Sequence, residues 1–339
     1  MCDEAIPNLR IGDCFASLAM TLEDNMKSRG LVIAISALGI LGCILLVGIG
    51  IITFRLVAEP STGFGDAVAI VYVEGPIMMG KADSEFGSSG IAYSETIVKH
   101  LHGAQKDAAV KAVVLRIESP GGSVVASREI YDAIVTARAA GKPVIASFGE
   151  VAASGGYYIS AAADKIYAHP ATMTGSIGVI SVLPNLEGLT EKLGVKMVVV
   201  KSGPHKDESY GFRDLTPEER AIWQKLIDEA YTDFVDIVAQ GRRLDAARVR
   251  QLADGRIYTG KQAKQAGLVD ELGNLDAAVD AAAKMAKISG TPRRVEFRNR
   301  PGFFDLFASS AAPNWGTREL ADLFTLRQWG RVMYLYVAP

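Results

Sequence analysis

Ser154 lies in the run Gly149-Glu150-Val151-Ala152-Ala153-Ser154-Gly155-Gly156-Tyr157-Tyr158, and Lys206 follows in Lys201-Ser202-Gly203-Pro204-His205-Lys206-Asp207. A serine set among small residues and glycines can occupy a tight strand-to-helix corner that presents its hydroxyl. A lysine in a Gly/Pro loop can turn inward as its base. Ahead of both, Ser119-Pro120-Gly121-Gly122-Ser123 is a turn whose backbone N–H groups can face an oxyanion. Nucleophile, base and anion donors are the parts that acyl transfer by a serine enzyme requires.

Each residue also has a plainer role. Ser154 can be a small residue where a helix packs closely on a sheet, and Lys206 can be a solvated surface lysine. The four histidines are His100, His102, His169 and His205. His100 and His102 fall on a helix expected at the surface, ahead of every candidate catalytic element. His169 precedes Pro170 in a turn and His205 adjoins Lys206, so a Ser-His-Asp arrangement with either stays open. Lys201 and Lys165 are rival bases. A lysine acts as a base only when its pKa falls from about 10.4 toward neutrality, through burial or a cationic neighbour. A nearby Asp207 would work in the opposite sense.

Other chemistries are excluded or unsupported. The cysteines are Cys2, Cys14 and Cys43, so the chain beyond residue 55 has no thiolate nucleophile, disulfide or cysteine zinc site. No His-Glu-x-x-His spacing is present, and neither a metal nor a cofactor is expected. With 36 basic and 38 acidic side chains the net charge is −2, which gives no electrostatic footprint for nucleic acid. Apolar residues make up 49% of the chain, enough to fill a sizeable core.

The elements that must position these residues alternate. Residues 67–73 form a β-branched run that reads as a buried strand, and residues 78–92 read as a mobile Met/Gly/Ser loop. Helical spacing covers 94–106, a strand 110–117, a helix 127–140 and a strand 144–148. The Ser154 corner and a helix through 163 come next, then a strand at 165–168 and a turn and strand over 174–180. This βαβ alternation predicts a mostly parallel sheet with flanking helices. In such a sheet the Pro-Gly-Gly turn and the Ser154 corner both follow strands, and so share the carboxyl edge where active residues collect. Thr216-Pro217-Glu218-Glu219 predicts a capping box opening a long helix, whose apolar stripe from Ile222 to Val238 reads as core or subunit contact.

Before all of this, residues 31–54 carry no charge, with Lys27 and Arg29 on one side and Arg55 on the other. That run is long enough to span a bilayer as a helix. The positive-inside bias puts the N-terminus in the cytoplasm and the bulk domain outside it. The expected organisation is a tail over 1–30, a transmembrane helix over 31–54, a linker over 55–66, a catalytic domain over 67–290 and an extension over 291–339. The apolar C-terminal residues 331–339 either dock as a strand in the substrate groove or complete a sheet edge.

Taken together, Ser119-Pro-Gly-Gly-Ser123, Ala152-Ala-Ser-Gly-Gly-Tyr-Tyr-Ile159, Thr174-Gly-Ser-Ile-Gly178 and Lys201-Ser-Gly-Pro-His-Lys206 resemble the signal peptide peptidase A family in its short bacterial form. The likeness covers roughly residues 67–290. It implies a Clp-protease/crotonase-like fold and a Ser/Lys dyad, with Ser154 as nucleophile and Lys206 as general base. It further implies Ser176 as the hydroxyl that orients the lysine, and Gly121 with the Ser154 N–H as oxyanion donors. A homo-oligomeric ring with active sites shared between neighbours, apolar peptide substrates such as signal-peptide remnants, and a bacterial inner-membrane location with an extracytoplasmic catalytic domain are implied with it. Two other classes compete: a crotonase-fold acyl-CoA enzyme, indifferent to loss of the Ser154 hydroxyl, and a non-catalytic membrane scaffold, indifferent to loss of Ser154 or Lys206.

Overall fold

Three consecutive β-branched segments set the architecture. Ala67–Glu74 (β1), Val110–Ser119 (β4) and Val144–Ala153 (β6) lie side by side in parallel at the centre of one sheet. In β1 the odd residues Ala67, Ala69, Val71 and Val73 face one core and the even residues Val68 and Ile70 face the other. A strand buried on both faces is what an apolar run without polar alternation dictates. Each fully buried large aliphatic side chain among them, such as Leu115 or Ile117, contributes about 1.5–3 kcal/mol over its exposed state.

The computed structural model describes residues 39–48, 65–81, 90–298 and 332–336. Two compact units divide the chain, Met1–Gly63 and Phe64–Pro339. In the first, residues 39–48 form helix α1, with Ile40, Leu41, Ile44, Leu45, Leu46 and Val47 all exposed. The remainder of the expected span 31–54 lies outside the described residues. Among the described residues no helix is long and apolar enough to cross a membrane.

In the second unit the main sheet runs β10-β7-β6-β4-β1-β11, with Lys165–Ala168 as β7, Glu271–Leu272 as β10 and Arg293–Phe297 as β11. All these pairings are parallel, as expected. The sheet thus takes in residues beyond 290, where the sequence suggested an extension. Past the main ladder, the end of β6 pairs in parallel with Met173–Gly175 (β8), and β8 pairs antiparallel with Ile257–Thr259 (β9). A smaller sheet is ordered β12-β5-β2-β3, from Met333–Leu335 (β12), Gly121–Ser123 (β5), Ile77–Met78 (β2) and Ala92–Tyr93 (β3). Residues 82–89 of the expected loop lie outside the described set.

Helices cover both faces. Ser94–Lys106 (α2), Val124–Ala139 (α3), Gly155–Ser160 (α4) and the C-terminal half of Pro217–Arg242 (α6) bury Ile97, Ile130, Tyr158 and Phe234 on one side. On the other, Leu275–Met285 (α9) lays Ala278, Val279, Ala282 and Ala283 on the sheet. The short elements Glu187–Lys192 (α5), Ala246–Leu252 (α7) and Gly260–Gln265 (α8) complete the set.

Three local readings shift. Helix α3 begins at Val124, earlier than its periodicity suggested, because the Ser123 side chain caps it by accepting from Ala126 N–H. His100, expected at the surface, is half-buried beside Phe297, and burial, then Lys99, pulls its pKa down. Beyond Gly175 the expected strand reduces to a single bridge at Ile180. The capping box of α6 forms as expected, the Thr216 hydroxyl accepting from Glu219 N–H while the Glu219 carboxylate accepts from Thr216 N–H.

Candidate active site

Strand β6 ends in a bulge that turns the chain into α4. Ile117 pairs with Phe148 and Ser119 with Ala152, so Gly149, Glu150 and Val151 stand opposite the single residue Glu118. A bulge leaves ladder N–H groups without strand partners. Here the Glu118 carboxylate accepts them, from Glu150 N–H at 2.6 Å and Val151 N–H at 3.0 Å. The re-aimed residues Val151–Ala153 then pair with β8, and Ser154 N–H donates to Gly175 O at 2.8 Å.

Ser154 occupies the resulting corner at φ 52° and ψ −115°. A non-glycine residue at positive φ costs roughly 1–3 kcal/mol and is held only by its surroundings. Although Ser154 takes the N-cap position of α4, its side chain makes no capping bond; it is 1% exposed, and its Oγ has no hydrogen-bond partner. A cap serine normally gives its oxygen to the helix. This one keeps it free.

Gly121 faces the corner at φ +99°. A Cβ there would lie 2.2 Å from Tyr334 O, 2.5 Å from Gly155 N and 3.0 Å from Ser154 Cβ, so only glycine fits. Its own N–H donates to Ser119 Oγ at 3.1 Å. The second expected anion donor, the N–H of Ser154, is directed to Gly175 O. The next residue, Gly155, opens α4 beside Gly121, its nitrogen 2.5 Å from where a Gly121 Cβ would stand, which makes its N–H a candidate donor. The Ser-Gly-Gly step was the available signal.

Ser176 follows Gly175 directly, is nearly buried at φ 49°, and donates its N–H to Arg256 O at 2.8 Å. Within one chain Lys206 is not brought to Ser154: it is exposed on a turn, and Ser154 Oγ has no hydrogen-bond partner among the described residues. The rival bases are likewise not at the serine. Lys201 pairs with Asp207 at 2.7 Å, and Lys165 is exposed on β7. His169 Nδ1 accepts from Ala171 N–H within its turn, and His205 lies 3.8 Å from Glu219.

The Lys206 turn is pinned by charge. Asp207 pairs with Arg213 and Lys201, not with Lys206, and Arg213 forks onto Glu219 at 2.6 and 2.8 Å. The Arg213 guanidinium, then Lys201, holds the Asp207 carboxyl well below the usual carboxylate range. Arg213, then the Thr216 N–H, brings Glu219 down to about 2. His205, Glu208 and Glu219 offer ligand atoms within 4.8 Å of one another, but Glu219 already serves Arg213 and Thr216, which leaves it a poor metal ligand.

Beside Gly121 lies the C-terminal strand. β12 runs antiparallel to β5, Tyr336 N–H donates to Pro120 O at 2.8 Å, and Met333 exchanges backbone bonds with Ile180. The Tyr334 ring is fully buried, stacked on Tyr158 at 4.8 Å and 4.7 Å from Phe234, with its hydroxyl donating to Ala230 O. Beneath it, Tyr158 O–H donates to Asp233, which also accepts from Arg128.

Residues 136–289 match the Peptidase family S49 model and residues 87–174 the Clp protease model. The chain is similar to Protease 4 of Salmonella typhi, 40% identical over 224 residues that make up 66% of this chain and 35% of that protein. A Synechocystis protein is 49% identical over 185 residues, 55% of this chain and 66% of its own length. Serine protease SPPA, chloroplastic, of Arabidopsis thaliana is 37% identical over 229 residues, 67% of this chain and 33% of that protein. The chain spans from about a third to about two thirds of these relatives. The resemblance read from the motifs is borne out by these matches, and the α/β fold is Clp-protease-like.

Proposed function

We propose that this chain, with its S49 peptidase region on a Clp-protease-like fold, is a membrane-anchored serine endopeptidase that cleaves apolar peptides with Ser154 as nucleophile and Lys206 as general base. The observation that carries it is Ser154 itself: a buried hydroxyl without a partner, held at positive φ against Gly121 and Gly155.

The neutral Lys206 amine takes the Ser154 proton, and the alkoxide attacks the peptide carbonyl. The N–H groups of Gly121 and Gly155 receive the oxyanion, Gly121 releasing Ser119 Oγ to do so. Collapse expels the amine, which takes the proton from Lys206, and the lysine, neutral again, activates water to free the acyl-enzyme. Ser176, next to the Gly175 carbonyl that receives Ser154 N–H, orients the lysine.

Because Lys206 is exposed in its own chain, a neighbouring copy supplies it. The apolar residues Val182, Val198 and Val200, with Ile222 and Leu226 on the first half of α6, are exposed beside the same stretch of chain and give a second copy a surface to cover. The copies form a ring in which each serine is served by the next lysine. Residues 31–54 anchor the ring in the bacterial inner membrane with the catalytic domain outside the cytoplasm, consistent with apolar side chains exposed around α1. Signal-peptide remnants left in the membrane are the substrates this placement offers.

The test is cleavage of an apolar fluorogenic peptide by the full chain in detergent. Loss of activity in both Ser154→Ala and Lys206→Ala, with folding intact, is expected. Cleavage kept in Ser154→Ala would remove Ser154 as the nucleophile and end this reading, and no cleavage by the folded wild type would favour an acyl-CoA enzyme or a scaffold.

A further inference from the structure

Two fully buried residues among those described carry a buried hydroxyl with no partner. One is Ser154, and the other is Ser127, which is 0% exposed. Ser127 sits in the second turn of α3, directly after the strand that bears Gly121. Other hydroxyls inside helices bond back to the preceding turn: Ser160 to Gly156 O at 2.6 Å, Thr136 to Asp132 O and Thr232 to Asp228 O, both at 2.8 Å. Ser127 makes no such bond. A buried hydroxyl left unpaired costs free energy, and its persistence asks for a cause.

Its surroundings supply one. A Cβ added at Gly155 would lie 2.7 Å from Ser127 Oγ, 3.1 Å from Gly121 Cα and 3.1 Å from the Gly122 nitrogen. The Ser127 hydroxyl therefore points at the contact between Gly121 and Gly155, where the anion donors converge. The missing side chain at Gly155 keeps that approach open. An alanine at Ser127 would pack there at no polar cost, so packing alone does not call for a hydroxyl.

We propose that Ser127 is a third donor to the oxyanion, beside the N–H groups of Gly121 and Gly155; this rests on the reading of Ser154 as nucleophile. As the Ser154 Oγ–C bond forms, the Ser154 proton passes to the lysine amine and the carbonyl π pair moves to the carbonyl oxygen. The Ser127 O–H donates to that oxygen and keeps its own proton. Its orphan hydroxyl gains a partner only as the anion develops, the condition for stabilising the transition state over the bound substrate.

The full chain in detergent is compared as wild type, Ser127→Ala, Ser127→Thr and Ser154→Ala, using a fluorogenic apolar peptide and a peptide boronate that forms a tetrahedral anionic adduct. In Ser127→Ala, kcat falls about 100-fold with KM within about twofold, as for loss of an oxyanion donor. Boronate affinity weakens by a similar factor, and Tm holds or rises because a buried unpaired hydroxyl is gone. Ser127→Thr, which keeps the donor, recovers most of kcat. Wild-type kcat and boronate affinity in a folded Ser127→Ala would overturn the proposal. So would a loss of kcat that tracks a lowered Tm without rescue by threonine. Hydrolysis by Ser154→Ala would instead overturn the peptidase reading, whatever Ser127 does.

Discussion

Leu335 stands opposite Gly121 across the antiparallel strands β12 and β5, so the chain's own C-terminal strand lies along the strand that bears the proposed oxyanion donor. Adding a strand to an exposed edge is how extended peptides are bound. A substrate seeking the same edge must displace β12. Truncation after Arg331 is expected to raise kcat/KM on a short apolar peptide about tenfold, equivalent to about 1.4 kcal/mol of docking removed. Unchanged kcat/KM in a folded protein would make β12 a plain edge strand.

Gly121 combines a positive φ with backbone on two sides of its Cα. Gly121→Ala is expected to lower kcat at least about 100-fold, the cost of a displaced oxyanion donor. Steady-state kinetics beside a melting curve check it: activity near wild type would remove Gly121 from the site.

Glu118 offers a prediction that no motif suggests. Its carboxylate replaces the ladder for Glu150 and Val151 and so aims the Ser154 corner. Glu118→Ala should destabilise the domain by about 1–3 kcal/mol, since two N–H groups lose a charged acceptor. Because the bulge turns with it, kcat should fall more than the loss of folded protein explains. Glu118→Gln, keeping one acceptor oxygen, should fall between. Denaturant melts and kinetics on the three proteins separate these effects.

What the sequence made legible follows from which contacts are local. β-branched runs fix β1, β4 and β6, Thr216 and Glu219 announce their own cap, and small residues around Ser154 mark a corner. Glu118 was missed because its partners lie beyond a bulge that breaks the strand period. That the Ser154 N–H is taken up by Gly175 O could not be read, because β8 brings Gly175 in from a different part of the chain. The place of β12 is wholly non-local. Lys206 could be chosen by resemblance but not positioned, since nothing among the described residues of its own chain brings it to the serine.

The Lys206 turn should respond to acid. Glu219 has its folded pKa lowered to about 2 by Arg213, against about 4.3 in an unfolded chain. A lowered carboxylate pKa stabilises the fold above the unfolded value, and that stability is lost as pH falls through the folded one. Hydrogen-exchange protection over residues 201–216, taken relative to the intrinsic rate at each pH, should therefore be full above about pH 4.3 and fall toward pH 2. In Arg213→Ala the folded and unfolded pKa values of Glu219 converge, so protection should be lower already above about pH 4.3 and should depend less on pH. A pH-independent protection pattern would show that the ion network does not hold the turn.

The central claim is that one chain's Ser154 works with another chain's Lys206. The most direct measurement is peptidase activity of oligomers assembled by co-expressing Ser154→Ala with Lys206→Ala, each inactive alone. Random mixing in a ring pairs an intact serine with a neighbour's intact lysine at about a quarter of the sites. Recovery of activity near that fraction of wild type is the predicted result. Mixed oligomers as inactive as either parent would contradict the account.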